Sequence, residues 1–201
     1  MAARNRLPPW HEQLRLANGR EVLIRPIRPD DAGPLRAGFA LLQPDEIRQR
    51  FLYAVTELTE EMAERLTRPD TRREFALVAA EPLPPGEALV GAVARASTND
   101  SVPGQGREAE FAILVSRYIN GMGLGRHLMR RLVRWAKGRK LDRLYGDVLE
   151  GNNPMLALAE SLGFRRESSS TPGLVRVVLD LDRDKPRAAP ADVAPPAIHH
   201  T

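Results

Sequence analysis

Residues 110–115 alternate strictly: Phe111, Ile113 and Val115 point one way, Glu110, Ala112 and Leu114 the other. That two-residue period predicts a strand over 108–116. Nine positions on, Leu124, Leu128, Leu132 and Trp135 recur at i, i+4, i+8 and i+11. They form the apolar stripe of a helix over 124–140 that faces a sheet. The same reading predicts a strand over 21–27 and helices over 30–42, 44–51 and 59–66. Asp30 and Thr59 are candidate N-caps, and Pro34 falls in the first turn of its helix, where proline is tolerated. Strands follow over 75–80 and 89–96 around the turn-rich segment 82–86, then a Gly/Pro/Ser/Asp loop over 99–106. The pattern closes with a strand over 143–149, a helix over 154–162, and a β pair at 164–166 and 174–181. Strands interleaved with helices give an α/β (α+β) fold, a mixed and partly parallel sheet with helices on its faces. Residues 1–19 read as a polar lead-in and 20–182 as the folded domain. Residues 183–201, rich in Pro and Ala, read as a disordered tail.

Between that central strand and helix lies Asn120-Gly121-Met122-Gly123-Leu124-Gly125-Arg126. A glycine turn that opens a helix presents backbone N–H groups with the positive helix end behind them, which suits a diphosphate. Glycine lets the backbone approach the anion without Cβ atoms in the way. A dinucleotide fingerprint would need glycine where Arg126 stands, in a first βαβ unit, and this loop comes late in the chain. A P-loop needs Gly-Lys-Ser or Gly-Lys-Thr, and the chain has neither.

The spacing Asn120-x-x-Gly123-x-Gly125 resembles the acyl-CoA pyrophosphate loop of the GNAT acetyltransferase superfamily, Q/R-x-x-G-x-G/A, with Asn in place of Gln or Arg. A second stretch, from Asn152 to Gly163-Phe164, is similar to the family's later motif, about 30 residues downstream in the expected order. Leu23 to Leu35, Asp45 to Phe51, and Ala109 to Val115 resemble the acetyltransferase domain of Pat-type bacterial protein lysine acetyltransferases, over roughly residues 20–182. The resemblance implies a twisted central sheet of about six or seven strands. Two parallel strands would splay to hold acetyl-CoA. It further implies that the backbone of Ile113, Leu114 and Val115 bonds the pantetheine arm. Gly121 to Arg126 would take the pyrophosphate, and Asn152 would cap its helix and contact the cofactor. Many relatives use a Tyr to reprotonate the CoA thiolate, and the matching position here is Ala159.

Acyl transfer to an amine needs a base, because a lysine ammonium has a pKa of about 10.4. It also needs a donor, usually a backbone N–H, for the carbonyl oxygen. Glu110 is the candidate base: a carboxylate on a half-buried strand has a raised pKa. The resemblance to the catalytic glutamate of histone and Pat-type enzymes points the same way, with Glu108 as the fallback. Tyr118 and Tyr145 are nearby in sequence, and nothing in the spacing selects either as an acid.

Composition narrows the remaining classes. The 201 residues, 42% hydrophobic, suffice for one core. No apolar run reaches the roughly 18 residues of a membrane span, and the N-terminus has no signal-peptide core. Cys is absent, which excludes disulfides, thiolate metal sites and a cysteine acyl-enzyme, and suits a cytoplasmic location. His11, His127, His199 and His200 lack metal-ligand spacing, so no metal is expected. A net charge of +4 favours anionic ligands such as CoA more than nucleic acid. The segment 30–68 mixes Asp30, Asp45, Glu60 and Glu64 with Arg36, Arg48 and Arg65. Such a surface suits reading a protein around its target lysine, a CoA-synthetase-type enzyme being the first candidate by resemblance. A small amine, or a non-catalytic acyl-CoA sensor, is the alternative. Monomer and homodimer are both compatible with the sequence.

Overall fold

A computed structural model describes residues 8–52, 55–84, 86–98 and 107–181. The loop expected at 99–106 and the tail expected at 183–201 lie outside the described residues. Eight strands form one sheet: β1 (Glu12–Arg15), β2 (Glu21–Pro26), β3 (Glu74–Ala80), β4 (Val90–Thr98), β5 (Glu108–Val115), β6 (Arg143–Leu149), β7 (Arg165–Ser168) and β8 (Leu174–Asp180). Their order is β1-β2-β3-β4-β5-β6-β8-β7. Neighbours run antiparallel except β5 and β6, which are parallel. The mixed α/β sheet is therefore as read from the pattern, with one strand more than expected.

The extra strand is β1, inside the stretch read as a lead-in. Four residues with one apolar side chain give almost no periodic signal; the strand exists because its backbone pairs with β2, Glu12 opposite Ile24 through Arg15 opposite Glu21. Side chains fasten it to residues distant in the chain. Glu12 Oε2 lies 2.8 Å from His127 Nε2 and also accepts from Arg131. Trp10 sits edge-on to Phe75, which in turn stacks on Trp135 at 5.5 Å. His127, through its contact with Glu12, is a clamp on this edge.

Helices cover both faces of the sheet. On one face α4 (Leu124–Gly138) and α5 (Asn153–Ser161) bury Leu124, Leu128, Leu132 and Leu156 against Phe111, Leu144 and Val177. The i, i+4, i+8 stripe is thus the core. The other face carries α1 (Ala32–Ala40), α2 (Pro44–Phe51) and α3 (Glu60–Thr67). Thr59 caps α3 as expected, its hydroxyl accepting from Met62 N–H.

Asp30 is not a cap. A 3₁₀ turn at Pro29–Asp31 precedes α1 and turns the next carboxylate, Asp31, inward. Asp31 and Arg25 of β2 are 0% and 2% exposed and meet in a two-point ion pair at 2.7 and 2.8 Å; Asp31 also accepts from Arg28 N–H. Removing one partner from a buried pair strands the other charge, which costs far more than the pair itself contributes. Asp31→Ala should therefore destabilise the protein by about 3–5 kcal/mol in urea denaturation. A loss below about 1 kcal/mol would show that the pair does not hold α1 to the sheet.

Candidate functional site

The parallel ladder between β5 and β6 is three rungs long: Glu108 with Arg143, Ala109 with Leu144, and Glu110 with Tyr145. Beyond Glu110, β5 keeps its partner β4 through Val115, and β6 keeps β8 through Leu149. The two strands then part, leaving the facing edge of Phe111–Val115 off any ladder. Backbone N–H and C=O groups on such an edge need a partner. Phe111 lies over the sheet at the parting. Its ring is 2.7 Å from where a Cβ on Gly146 would stand, and it packs edge-on to Phe164. Gly146 thus leaves room for the ring where β5 and β6 part.

The gap opens into a cleft of about 260 Å³ lined by Glu110, Ile113, Leu114, Val115, Asn120, Gly125 and Asn152 among others. Residues chosen from separate motifs come together here. Ile113 and Val115 pack against the α4 core and also line the cleft, on the edge of β5 that has no ladder partner there. Asn152 caps α5, accepting from Met155 N–H at 3.2 Å, while also lining the cleft. Ala159 is fully buried in the core and offers nothing to it. Tyr118 is 60% exposed, whereas Tyr145 is buried and pairs with Glu110 across the ladder.

At the end of the cleft the glycine turn leads into α4. Gly121 and Gly123 have φ of +76° and +80°, and no atom lies within 4 Å of where either Cβ would be. Both the left-handed backbone and the open side are conditions for close approach by an anion. Met122 packs against the core and Leu124 is buried in it, so these two can offer only their backbone. Asn120 Oδ1 accepts from Gly121 N–H at 2.8 Å, which removes that amide from the set free for an anion. Arg126 is half-buried in the first turn of α4. Together with the unladdered edge of β5, the turn is a fit for a pantetheine diphosphate: a strand edge for the amides, a positive helix end for the phosphates.

Glu110 shares its face with Tyr145 and Asp147 of β6 and Arg176 of β8. Arg176 donates to both oxygens of Asp147, at 3.0 and 2.8 Å, and its guanidinium lies over the Tyr145 ring at 4.7 Å. Burial, and after it the Asp147 carboxylate, push the Glu110 carboxyl above the ordinary carboxylate range. Arg176 and Arg50 oppose the shift. Asp147 and Arg176 carry no motif, and it is the fold that selects Tyr145 over Tyr118 as the neighbour of Glu110. The available signal was a charged residue inside an otherwise apolar strand, two positions from a tyrosine. Glu46 is a tether: it accepts from Gln43 N–H and Arg117 N–H, both at 2.9 Å, and fixes α2 over the end of β5.

Residues 21–165 match the family described as the acetyltransferase (GNAT) domain. An acetyltransferase of Pseudomonas aeruginosa is 30% identical over 173 residues, covering 85% of this chain and 89% of that one. Among solved structures, the GNAT domain of S. lividans PAT is 26% identical with a TM-score of 0.74, covering 88% of this chain and all of that one. The ribosomal-protein-S5-alanine acetyltransferase of Vibrio fischeri shares the fold, at 15% identity and a TM-score of 0.64, over 82% of this chain and 96% of its own. The chain belongs to the GNAT acetyltransferase family and is an acyltransferase.

The charges around Glu110 make its titration testable. Asp147→Asn removes a neighbouring negative charge and releases Arg176 from its partner. Both changes favour the ionised carboxylate, so the Glu110 pKa should fall. Carboxyl-carbon NMR of Glu110 in the two proteins reads this directly; an unchanged or higher pKa in the variant would mean that Asp147 does not act on it.

Proposed function

We propose that this GNAT acetyltransferase moves the acetyl group of acetyl-CoA to a protein lysine, by direct attack within a ternary complex, with Glu110 as the general base. The observation that carries the reading is the position of Glu110 at the last rung of the β5–β6 ladder. There a half-buried carboxylate of raised pKa faces the cleft that the parting strands open. The cofactor supplies an activated thioester. The backbone of Ile113, Leu114 and Val115 would align its arm, and Met122 to Arg126 would take its diphosphate, with Asn152 beside the arm. Glu110 takes a proton from the incoming ammonium, and a β5 backbone N–H on the open edge faces the charge that develops on the carbonyl oxygen. The pKa shift has a kinetic sense: a base of raised pKa is a stronger acceptor, yet it must be ionised, so rate falls as pH drops through its pKa.

Lysine of a protein as acceptor rests on two supports. One is the resemblance to the Pat-type domain, with the 26% identity to the S. lividans GNAT domain. The other is the mixed surface of α1–α3, where Arg36 and Glu60 approach to 3.9 Å and Arg68 and Glu64 to 3.2 Å in exposed pairs. Such alternating charge sets register with a folded partner more than it binds a polycation.

Glu110→Gln keeps the shape and removes proton acceptance, so acetyl transfer should slow by roughly 10²–10⁴-fold with acetyl-CoA affinity nearly unchanged. Full activity in the variant across the pH range would remove Glu110 from the role of base. Gly123→Val puts a β-branched side chain at φ +80° in the anion turn. Calorimetry should show CoA affinity lowered at least about tenfold, some 1.4 kcal/mol, in a protein whose circular dichroism is native. Equal affinity would remove the turn from the cofactor site.

A further inference from the structure

The α1–α3 layer does not close onto the sheet. Its apolar residues, Phe39, Leu58 and Ala63 with their neighbours, form one cluster, while Ile27, Ala76 and Val78 on the sheet form another. Between them, bounded by described residues, lies an apolar cavity of about 670 Å³. Its floor is built from small or short side chains, Ala80, Val90 and Val93 among them, and its roof from Leu35, Phe39 and Leu66. Protein interiors pack to the density of organic crystals, and ligand sites are what occupy volumes of about 300–1,000 Å³.

Three features say what enters. First, the lining is mostly apolar, with Arg20, Glu21, Glu81 and Arg50 among its few charged members. Arg95, which reaches into it from β4, is committed to the Leu66 carbonyl at 2.7 Å and to Glu74 at 3.7 Å. Second, the cavity has its own mouth. The four large hydrophobic side chains that are exposed among the described residues are Leu41, Leu83, Leu89 and Tyr118, and all four rim this cavity. Apolar side chains gathered at one opening mark an interaction site. Third, the cavity adjoins the catalytic cleft: Arg50, Phe51 and Leu114 line both. An extension of the acyl chain would need only a closed pocket reached from the cleft. A separate apolar mouth is what a second substrate requires when the cofactor is already bound.

We propose that this cavity is the subsite for an apolar side chain of the protein acceptor, a leucine or phenylalanine close in sequence to the target lysine. The proposal rests on the protein-lysine reading above and deepens it. Leu114 lies four residues along β5 from Glu110, about 13 Å at the rise of a strand. An acceptor held extended beside it spans the same distance in four residues, so the apolar residue lies within about four positions of the lysine. Specificity would then come from burying that side chain, while the charges of α1–α3 guide the encounter.

The test compares lysine peptides that differ only at positions two to four from the lysine, Leu or Phe against Ser, with acetylation followed by mass spectrometry and acetyl-CoA affinity by calorimetry. The apolar peptides should win by about tenfold or more in kcat/KM, the range expected for burying one such side chain. Leu41→Glu and Leu89→Glu, both on the exposed rim, should erase that preference and leave acetyl-CoA affinity unchanged. Ala80→Leu should do the same from within the cavity; the rim variants decide the matter if it does not fold. Lysine peptides acetylated equally well whatever their flanks would overturn the subsite and leave the protein-lysine reading intact. A gain for hexanoyl-CoA over acetyl-CoA that Leu89→Glu abolishes would assign the cavity to the acyl chain instead. Turnover of small apolar amines with no lysine peptide acetylated would overturn the protein-lysine reading and the peptide subsite with it.

Discussion

The parting of β5 from β6 after the Glu110–Tyr145 rung is the constraint on which the site depends. A sheet that stayed paired would satisfy every backbone group of β5 and leave no edge for a ligand. Each strand instead keeps one antiparallel partner, β4 for β5 and β8 for β6, so the sheet is not lost when the ladder between them ends. Phe111 over Gly146 fills the α4 face at the parting. The opposite face is left to Glu110, Tyr145, Asp147 and Arg176. Alternation along one strand thus sorts a structural ring and a titratable carboxylate onto opposite sides.

The electrostatics follow from the same geometry. Glu110 is pushed up by burial and by Asp147, and restrained by Arg176 and Arg50. Asp147 is held by Arg176 in a two-point pair, so the second carboxylate is kept close without being left unpaired. Glu110, half-buried and without such a two-point partner, is the carboxyl whose pKa is raised.

The two faces of the sheet are built for different ends. The α4 and α5 face is packed, with the helix stripe at or near zero exposure. The α1–α3 layer is anchored at points: the Asp31–Arg25 pair at one end, and Glu46 holding Arg117 and Gln43 at another. Point anchors fix a layer without filling the space beneath it. That leaves a cavity next to the cleft on the side where Glu110 faces.

The sequence alone determined whatever depends on periodicity and local chemistry. The central strand, the 124–140 helix stripe, the Thr59 and Asn152 caps and the glycine turn were legible because the signal lies within a few neighbouring residues. So was Glu110 as a carboxylate on an apolar strand. β1 was not legible, since a four-residue edge strand is specified by its partner and by Glu12 reaching His127 and Arg131 more than 100 residues away. Asp30 has the local pattern of a cap because a cap is a local motif; that the next aspartate turns inward is decided by Arg25 across the fold. The company of Asp147, Arg176 and Tyr145 around Glu110 depends on strand order and register, and the cavity depends on how far two layers stand apart. Sequence patterns record which way a side chain points. Only the tertiary structure decides what it meets there.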